Sequence, residues 1–110
     1  MSGDLLTKTC KPCEGGTVPL EAPAIASYQA QLAKFWSVTE TSALTRDFSF
    51  KDFEKAMLFV NRVANLAQQE GHHPDMHIHY RRVRIELTTH AIAGLLENDF
   101  ILAAKIEKLS

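Results

Sequence analysis

All five histidines of this 110-residue chain lie between positions 72 and 90. Imidazole titrates near neutrality, at about 6.5 when unperturbed, so a cluster can supply both a proton acceptor and a proton donor at physiological pH. His72 and His73 stand together where a helical pattern gives way to an extended one. His90 lies on the far arm of a hairpin that folds back toward them. Asp99, at the start of the next helical pattern, can orient one ring or hold its charged form. His77 and His79 alternate with Met76, Ile78 and Tyr80, which reads as a pair of polar strand residues facing water.

Two motifs invite a metal or redox reading. His77 and His79 form an HxH pair of a kind that binds zinc. A stretch of extended chain from position 73 to 77 spans about 13 Å at roughly 3.3 Å per residue, and zinc–nitrogen bonds of about 2.0–2.1 Å cannot gather the whole set around one ion. There is no HExxH, and no native metal is expected. Cys10-Lys-Pro-Cys13 is a CxxC pair. Zinc needs two further ligands, and a redox CxxC belongs at a helix start within a βαβ unit. Reduced thiols in a tail are the plainer expectation. Arg81, Arg82 and Arg84 can meet an anion, but a solvated strand edge guarded by charge is the commoner origin of such a run.

The elements that position these residues follow from periodicity. Residues 1–22 hold both cysteines, Gly15-Gly16, Pro12 and Pro19 with few large apolar groups, and read as a flexible tail. The domain is expected over 23–110. A helix starts near Pro23, with Ile25, Tyr28, Leu32 and Phe35 on one face. From Trp36 the period becomes two, which predicts a hairpin with strands near 36–40 and 43–49. Ser49 with Asp52 fits a loose capping box for the next helix. Phe53, Ala56, Met57, Val60, Ala64 and Ala67 share a face of that helix, and Gly71 is placed to end it.

After Pro74 the alternation changes phase, even positions through Tyr80 and odd ones from Val83. One straight strand cannot put both sets on one face. A tight turn at Arg81-Arg82 does so, with Tyr80 opposite Val83, Ile78 opposite Ile85 and Met76 opposite Leu87. A bulge in one long strand is the competitor. The hairpin register carries position 73 opposite 90. Pro74 cannot join a normal ladder, so this is proximity rather than pairing. A loop at Ala93-Gly94 leads to a last helix, with Leu102, Ala103, Ile106 and Leu109 as its buried stripe and Glu97 and Asp99 in its first turn. The expected fold is α+β, two layers, a four-stranded antiparallel sheet with three helices on one face, in the order α-β-β-α-β-β-α.

Composition narrows the function further. Twelve basic and thirteen acidic side chains give a net charge of −1, against direct nucleic-acid binding by phosphate neutralisation. No apolar run approaches the roughly 20 residues of a membrane span, and the first 20 residues lack a signal-peptide stretch. A cytoplasmic domain is expected, with a nuclear location left open.

The stretch Phe48-Ser-Phe-Lys-Asp-Phe-Glu-Lys-Ala56, the run Gly71-His-His-Pro-Asp75, then Tyr80, Val83, Thr89-His90, Gly94-Leu95 and Asp99 resemble the pterin-4a-carbinolamine dehydratases. The similarity spans about residues 24–108, and CKPCEGG is similar to the N-terminal extension of some microbial and plant members. The resemblance implies a dehydratase that expels water from C4a of 4a-hydroxytetrahydrobiopterin, or a related 4a-hydroxytetrahydropterin, to give quinonoid dihydropterin for recycling. It implies no metal or redox cofactor. It places a catalytic histidine trio on His72, His73 and His90, with proton transfer given to His72 and His90 and mainly substrate contact to His73. It also places an acid on Asp99, and substrate binding on the three histidines with Pro74, Asp75 and Asp99. It also implies a homodimer formed by sheet extension, or a homotetramer. Vertebrate relatives serve as dimerisation cofactors of a homeodomain transcription factor, so a non-catalytic protein-binding module is the alternative. Two positions depart from the family pattern: Gln68 stands where relatives often carry Glu, and Leu96 stands where an N-cap Ser or Thr is usual.

Overall fold

A computed structural model describes residues 5–10, 18–32, 34–39 and 42–110. Helix α1 (Ala22–Gln29) precedes strands β1 (Ser37–Thr39) and β2 (Ala43–Ser49). Helix α2 (Phe53–Glu70), strands β3 (Asp75–His79) and β4 (Arg82–Leu87), a 3₁₀ turn (His90–Ile92) and helix α3 (Glu97–Glu107) complete the chain. The strands form one antiparallel sheet in the order β1-β2-β4-β3. This is the expected α+β fold.

Alternation decides the layers. Leu44, Phe48, Val83, Ile85 and Leu87 are buried toward the helices, whereas Asp47, Arg82, Arg84, His77 and His79 project from the opposite, exposed face. Against the apolar face lie Ala56, Phe59, Val60 and Val63 of α2 and Phe100 to Ala103 of α3. The buried face of α2 is rotated from the expected one: Phe53 is half exposed and Ala64 is exposed, while Phe59 and Val63 are buried. Larger side chains at 59 and 63 take the core-facing side, and the small Ala64 is left outside. Helix α3 is buried over all of 98–104 rather than along one stripe, because the sheet, α2, Tyr28 of α1 and the N-terminal segment surround it.

Local expectations differ from the structure in four further places. Helix α1 ends at Gln29, and Phe35 is 61 % exposed rather than on its buried face. The chain turns so that Trp36 enters the core, where its Nε1–H donates to Glu107 Oε1 at 2.8 Å. The N-cap of α2 is Asp52, which accepts from the Lys55 N–H at 2.8 Å, not Ser49. Ser49 is still strand, and the Phe50 N–H bonds to the Arg81 carbonyl beyond it. The β3–β4 hairpin turns at Tyr80-Arg81, so Ile78 faces Val83 and Met76 faces Ile85. That register is two residues from the expected one. A shift of two preserves every face, so hydrophobic alternation cannot distinguish the pair.

The fourth difference is at the N-terminus. Leu5 is 1 % exposed and belongs to the core, and Leu6, Cys10 and Leu20 pack against it. Residues 5–10 therefore lie on the domain instead of trailing from it. Cys13, and with it the complete CxxC pair, lies outside the described residues, as do Glu40 and Thr41 of the first hairpin's turn.

Candidate active site

His72 owes its place to the way α2 stops. Gly71 adopts φ +68°, and its N–H and that of His72 both reach the Ala67 carbonyl. Glycine enters this left-handed region without the Cβ penalty other residues meet. The chain then turns through His73 and Pro74 into β3 at Asp75.

Opposite, the first turn of α3 carries Asp99, which has no exposed surface. Its Oδ2 accepts from the Leu96 N–H at 2.9 Å and from the Thr89 hydroxyl at 2.8 Å. Its Oδ1 lies 2.6 Å from His72 Nε2. The N-terminal end of a helix favours negative charge, and these partners satisfy a group that would be costly to bury alone. Leu96 supplies no capping oxygen, as its side chain dictates, yet Asp99 supplies the return half of a capping box by receiving the Leu96 N–H. Against the carboxylate form of Asp99, His72 Nε2 donates. That leaves Nδ1 as the nitrogen of a neutral His72 that can take up a proton.

Thr89 is held by a closed loop. Its N–H donates to the Gly94 carbonyl at 2.8 Å, and the loop between contains the 3₁₀ turn. His90 begins that turn and is exposed, with Nε2 3.6 Å from Asp75 Oδ2. Residues 72–75 and 89–90 are thus linked twice, through Asp99 and through the His90–Asp75 contact. His73 lies outside this link: its Nε2 is 3.1 Å from Gln68 Oε1, one turn back on α2. Pro74 is partly exposed between them.

His77 and His79 are on the exposed sheet face with Asp47, Arg82, Arg84 and Glu86, around an open depression of about 340 Å³. Charges there pair locally. Arg84 holds Asp47 through two hydrogen bonds and keeps its carboxyl below the ordinary range, and His77 lies 3.7 Å from Glu86. Among the described residues no three His, Cys, Asp or Glu side chains converge as metal ligands, and no helix is long and apolar enough to cross a membrane.

Sequence reasoning left Thr89 without a role. A threonine ten residues before a buried aspartate has no periodic signature, and only the 89–94 loop brings its hydroxyl to Asp99. Gly94 has a packing reason: a Cβ there would meet Pro19 Cβ at 2.7 Å.

A family model described as Pterin 4 alpha carbinolamine dehydratase matches residues 18–109. The chain belongs to the pterin-4a-carbinolamine dehydratase family. A relative from Nitrosomonas eutropha that carries the provisional name pterin-4-alpha-carbinolamine dehydratase is 48 % identical over 106 residues, covering 96 % of this chain and 93 % of its own. A solved structure of a transcriptional coactivator/pterin dehydratase from Brucella melitensis superposes with a TM-score of 0.77 at 32 % identity, covering 83 % of this chain and 97 % of that one. A pterin dehydratase-like RuBisCO assembly factor of the alpha-carboxysome shares the fold, with a TM-score of 0.57 at 21 % identity over 67 % of this chain and 84 % of its own. The match to the pterin-4a-carbinolamine dehydratase family thus covers most of this chain, from residue 18 to residue 109.

Proposed function

We propose that this protein dehydrates a 4a-hydroxytetrahydropterin to the quinonoid dihydropterin, with His72 and His90 as the proton-transfer residues. The observation that carries the reading is the His72–Asp99 pair, whose buried carboxylate also receives Thr89 and Leu96. A hydroxyl at C4a leaves as water when it gains a proton, and its bonding electrons leave with the oxygen. A ring N–H loses a proton, and the freed pair forms the new double bond to C4a. The reaction needs one donor and one acceptor but no net proton. His72, with Nε2 committed to Asp99, presents Nδ1 to one of these transfers. His90, exposed and only loosely held by Asp75, serves the other and exchanges protons with water. Positioned transfers of this kind contribute about 10²–10⁴-fold.

His73, Pro74 and Asp75 are assigned to substrate contact, since they continue the chain from His72 along the same edge. The expected test is direct. Decay of enzymatically generated 4a-hydroxytetrahydropterin, followed by ultraviolet absorbance, accelerates with the protein and loses that acceleration in His72→Ala and His90→Ala.

A second reading, assembly through protein contacts, draws on one feature. Strand β3 is an edge of the sheet, and Ile78 on it is 41 % exposed. An open edge with an apolar side chain is suited to pairing with another strand. A homodimer that continues the sheet through β3 uses it without competing with the histidines. The histidine variants separate the readings: they abolish turnover and leave association intact.

A further inference from the structure

Glu70 is the last residue of α2, two positions before His72, and a carboxylate there faces the negative end of the helix dipole. What holds it comes from elsewhere in the chain. Its Oε2 accepts from Lys105 Nζ of α3 at 2.8 Å, and its Oε1 accepts from the Cys10 N–H at 2.9 Å. Both charged side chains are largely buried, at 12 % and 16 % exposure, so each depends on the other for compensation.

The N-terminal segment that supplies the Cys10 N–H is itself fixed at three places. Leu5 sits in the core, Lys8 pairs with Glu97, and the Cys10 thiol lies 3.6 Å from the Asn98 carbonyl. Glu97 and Asn98 immediately precede Asp99. The segment therefore touches both helix ends that carry the His72–Asp99 pair.

Resting on the dehydratase reading, we infer that Glu70 is a positioning residue for that reaction, tying the end of α2 to Lys105 and to residues 5–10 so that His72 meets Asp99. A displacement of about 1 Å at a catalytic group can cost about 10²-fold in rate, so a tie two residues away has leverage on turnover without touching substrate. Burial alone would raise the Glu70 carboxyl, but hydrogen bonds from Lys105 and the Cys10 amide outweigh it and hold it below the ordinary value.

The test uses Glu70→Ala and Glu70→Gln in the full chain, with Lys105→Met as a second removal of the tie should Glu70→Ala not fold. Two readouts are independent of activity: hydrogen exchange of the Leu96 amide, which bonds to Asp99, and the nitrogen resonances of the His72 ring. Expected in Glu70→Ala, or in Lys105→Met in its place, are Leu96 exchange faster by about tenfold, shifted His72 resonances, and kcat lower by about tenfold with KM nearly constant. Glu70→Gln keeps an oxygen for the Cys10 N–H but turns an amide NH₂ toward Lys105, so it is expected to recover only part of each. Unchanged Leu96 exchange and His72 resonances in a folded variant overturn the inference, as does a loss confined to KM. A native protein without turnover removes the dehydratase reading and the kinetic role of Glu70, while the exchange readout still reports on the tie itself.

Discussion

His72 and Asp99 meet at 2.6 Å although 27 positions apart in the chain, and the aspartate is fully buried. One residue follows the αL stop of α2 and the other sits in the first turn of α3, so the geometry of two helix ends sets the pair. The consequence is chemical. A carboxylate with three donors has no freedom to rotate, and it fixes which imidazole nitrogen faces outward.

Asp99→Asn preserves size but replaces one acceptor oxygen with a donor amide. Either the Leu96 contact is lost, or the new amide NH₂ faces His72 and donates to Nε2, which moves the ring proton to Nδ1. A drop in kcat of about 10²-fold is expected from the misdirected ring. Combining it with His72→Ala should add little, because both changes disable one unit. Steady-state kinetics of the two single variants and the double variant check this.

Thr89→Val is isosteric but removes the hydroxyl that donates to Asp99 Oδ2. The buried carboxylate then loses one of its three partners. A stability loss of about 1–3 kcal/mol is expected, the range for a buried polar group left short of a partner. Urea unfolding monitored by circular dichroism measures it.

Gly94→Ala should be more damaging than Gly71→Ala. A methyl at 94 runs into Pro19 at 2.7 Å, whereas nothing lies within 4 Å of the Cβ position at 71, whose cost is the left-handed φ of +68° alone. About 2–3 kcal/mol is expected at 94, the upper part of the overpacking range because the Pro19 ring cannot swing aside, and about 1 kcal/mol at 71 from backbone strain. The same unfolding measurement ranks them, and equal losses would contradict the packing role of Gly94.

Acid should weaken the Glu70 tie. The folded-state pKa of Glu70 lies below its ordinary 4.5, so its contribution is complete above that value. It is lost as pH falls through the lowered folded value. Urea midpoints at pH 6 and pH 3 should therefore differ less in Glu70→Gln than in the native protein.

Cys10 should be a poor nucleophile. Burial first, then the charge and hydrogen bond of Glu70, push its thiol up to about 12, so at pH 7 its thiolate fraction is about 10³-fold below that of an ordinary cysteine with a pKa near 8.5. Alkylation followed by peptide mapping should label the Cys10 peptide far more slowly than a small-molecule thiol.

Much of this architecture could be read in the residues because apolar spacing reports on faces. The order of elements, the end of α2 at Gly71 and both hairpins follow from it. What spacing cannot report is registration between equivalent faces, as at Tyr80-Arg81, or competition between neighbours for one role, as between Ser49 and Asp52. The histidines stood out as candidates by residue type alone, and the Asp99 partner of His72 by its place at a helix start. Thr89, Leu5 and Glu70 were not, since each acts through a contact distant in sequence. A lone leucine in a polar, glycine-rich segment gives no periodic sign that it enters a core.

The most direct measurement is the ultraviolet decay of 4a-hydroxytetrahydropterin at neutral pH, with native protein, His72→Ala and His90→Ala compared at equal folded concentration. Native protein should accelerate the decay, and each histidine variant should lose that acceleration by about 10²-fold or more. Decay at the uncatalysed rate with native protein, or undiminished turnover in both variants, would contradict histidine-catalysed dehydration at this site.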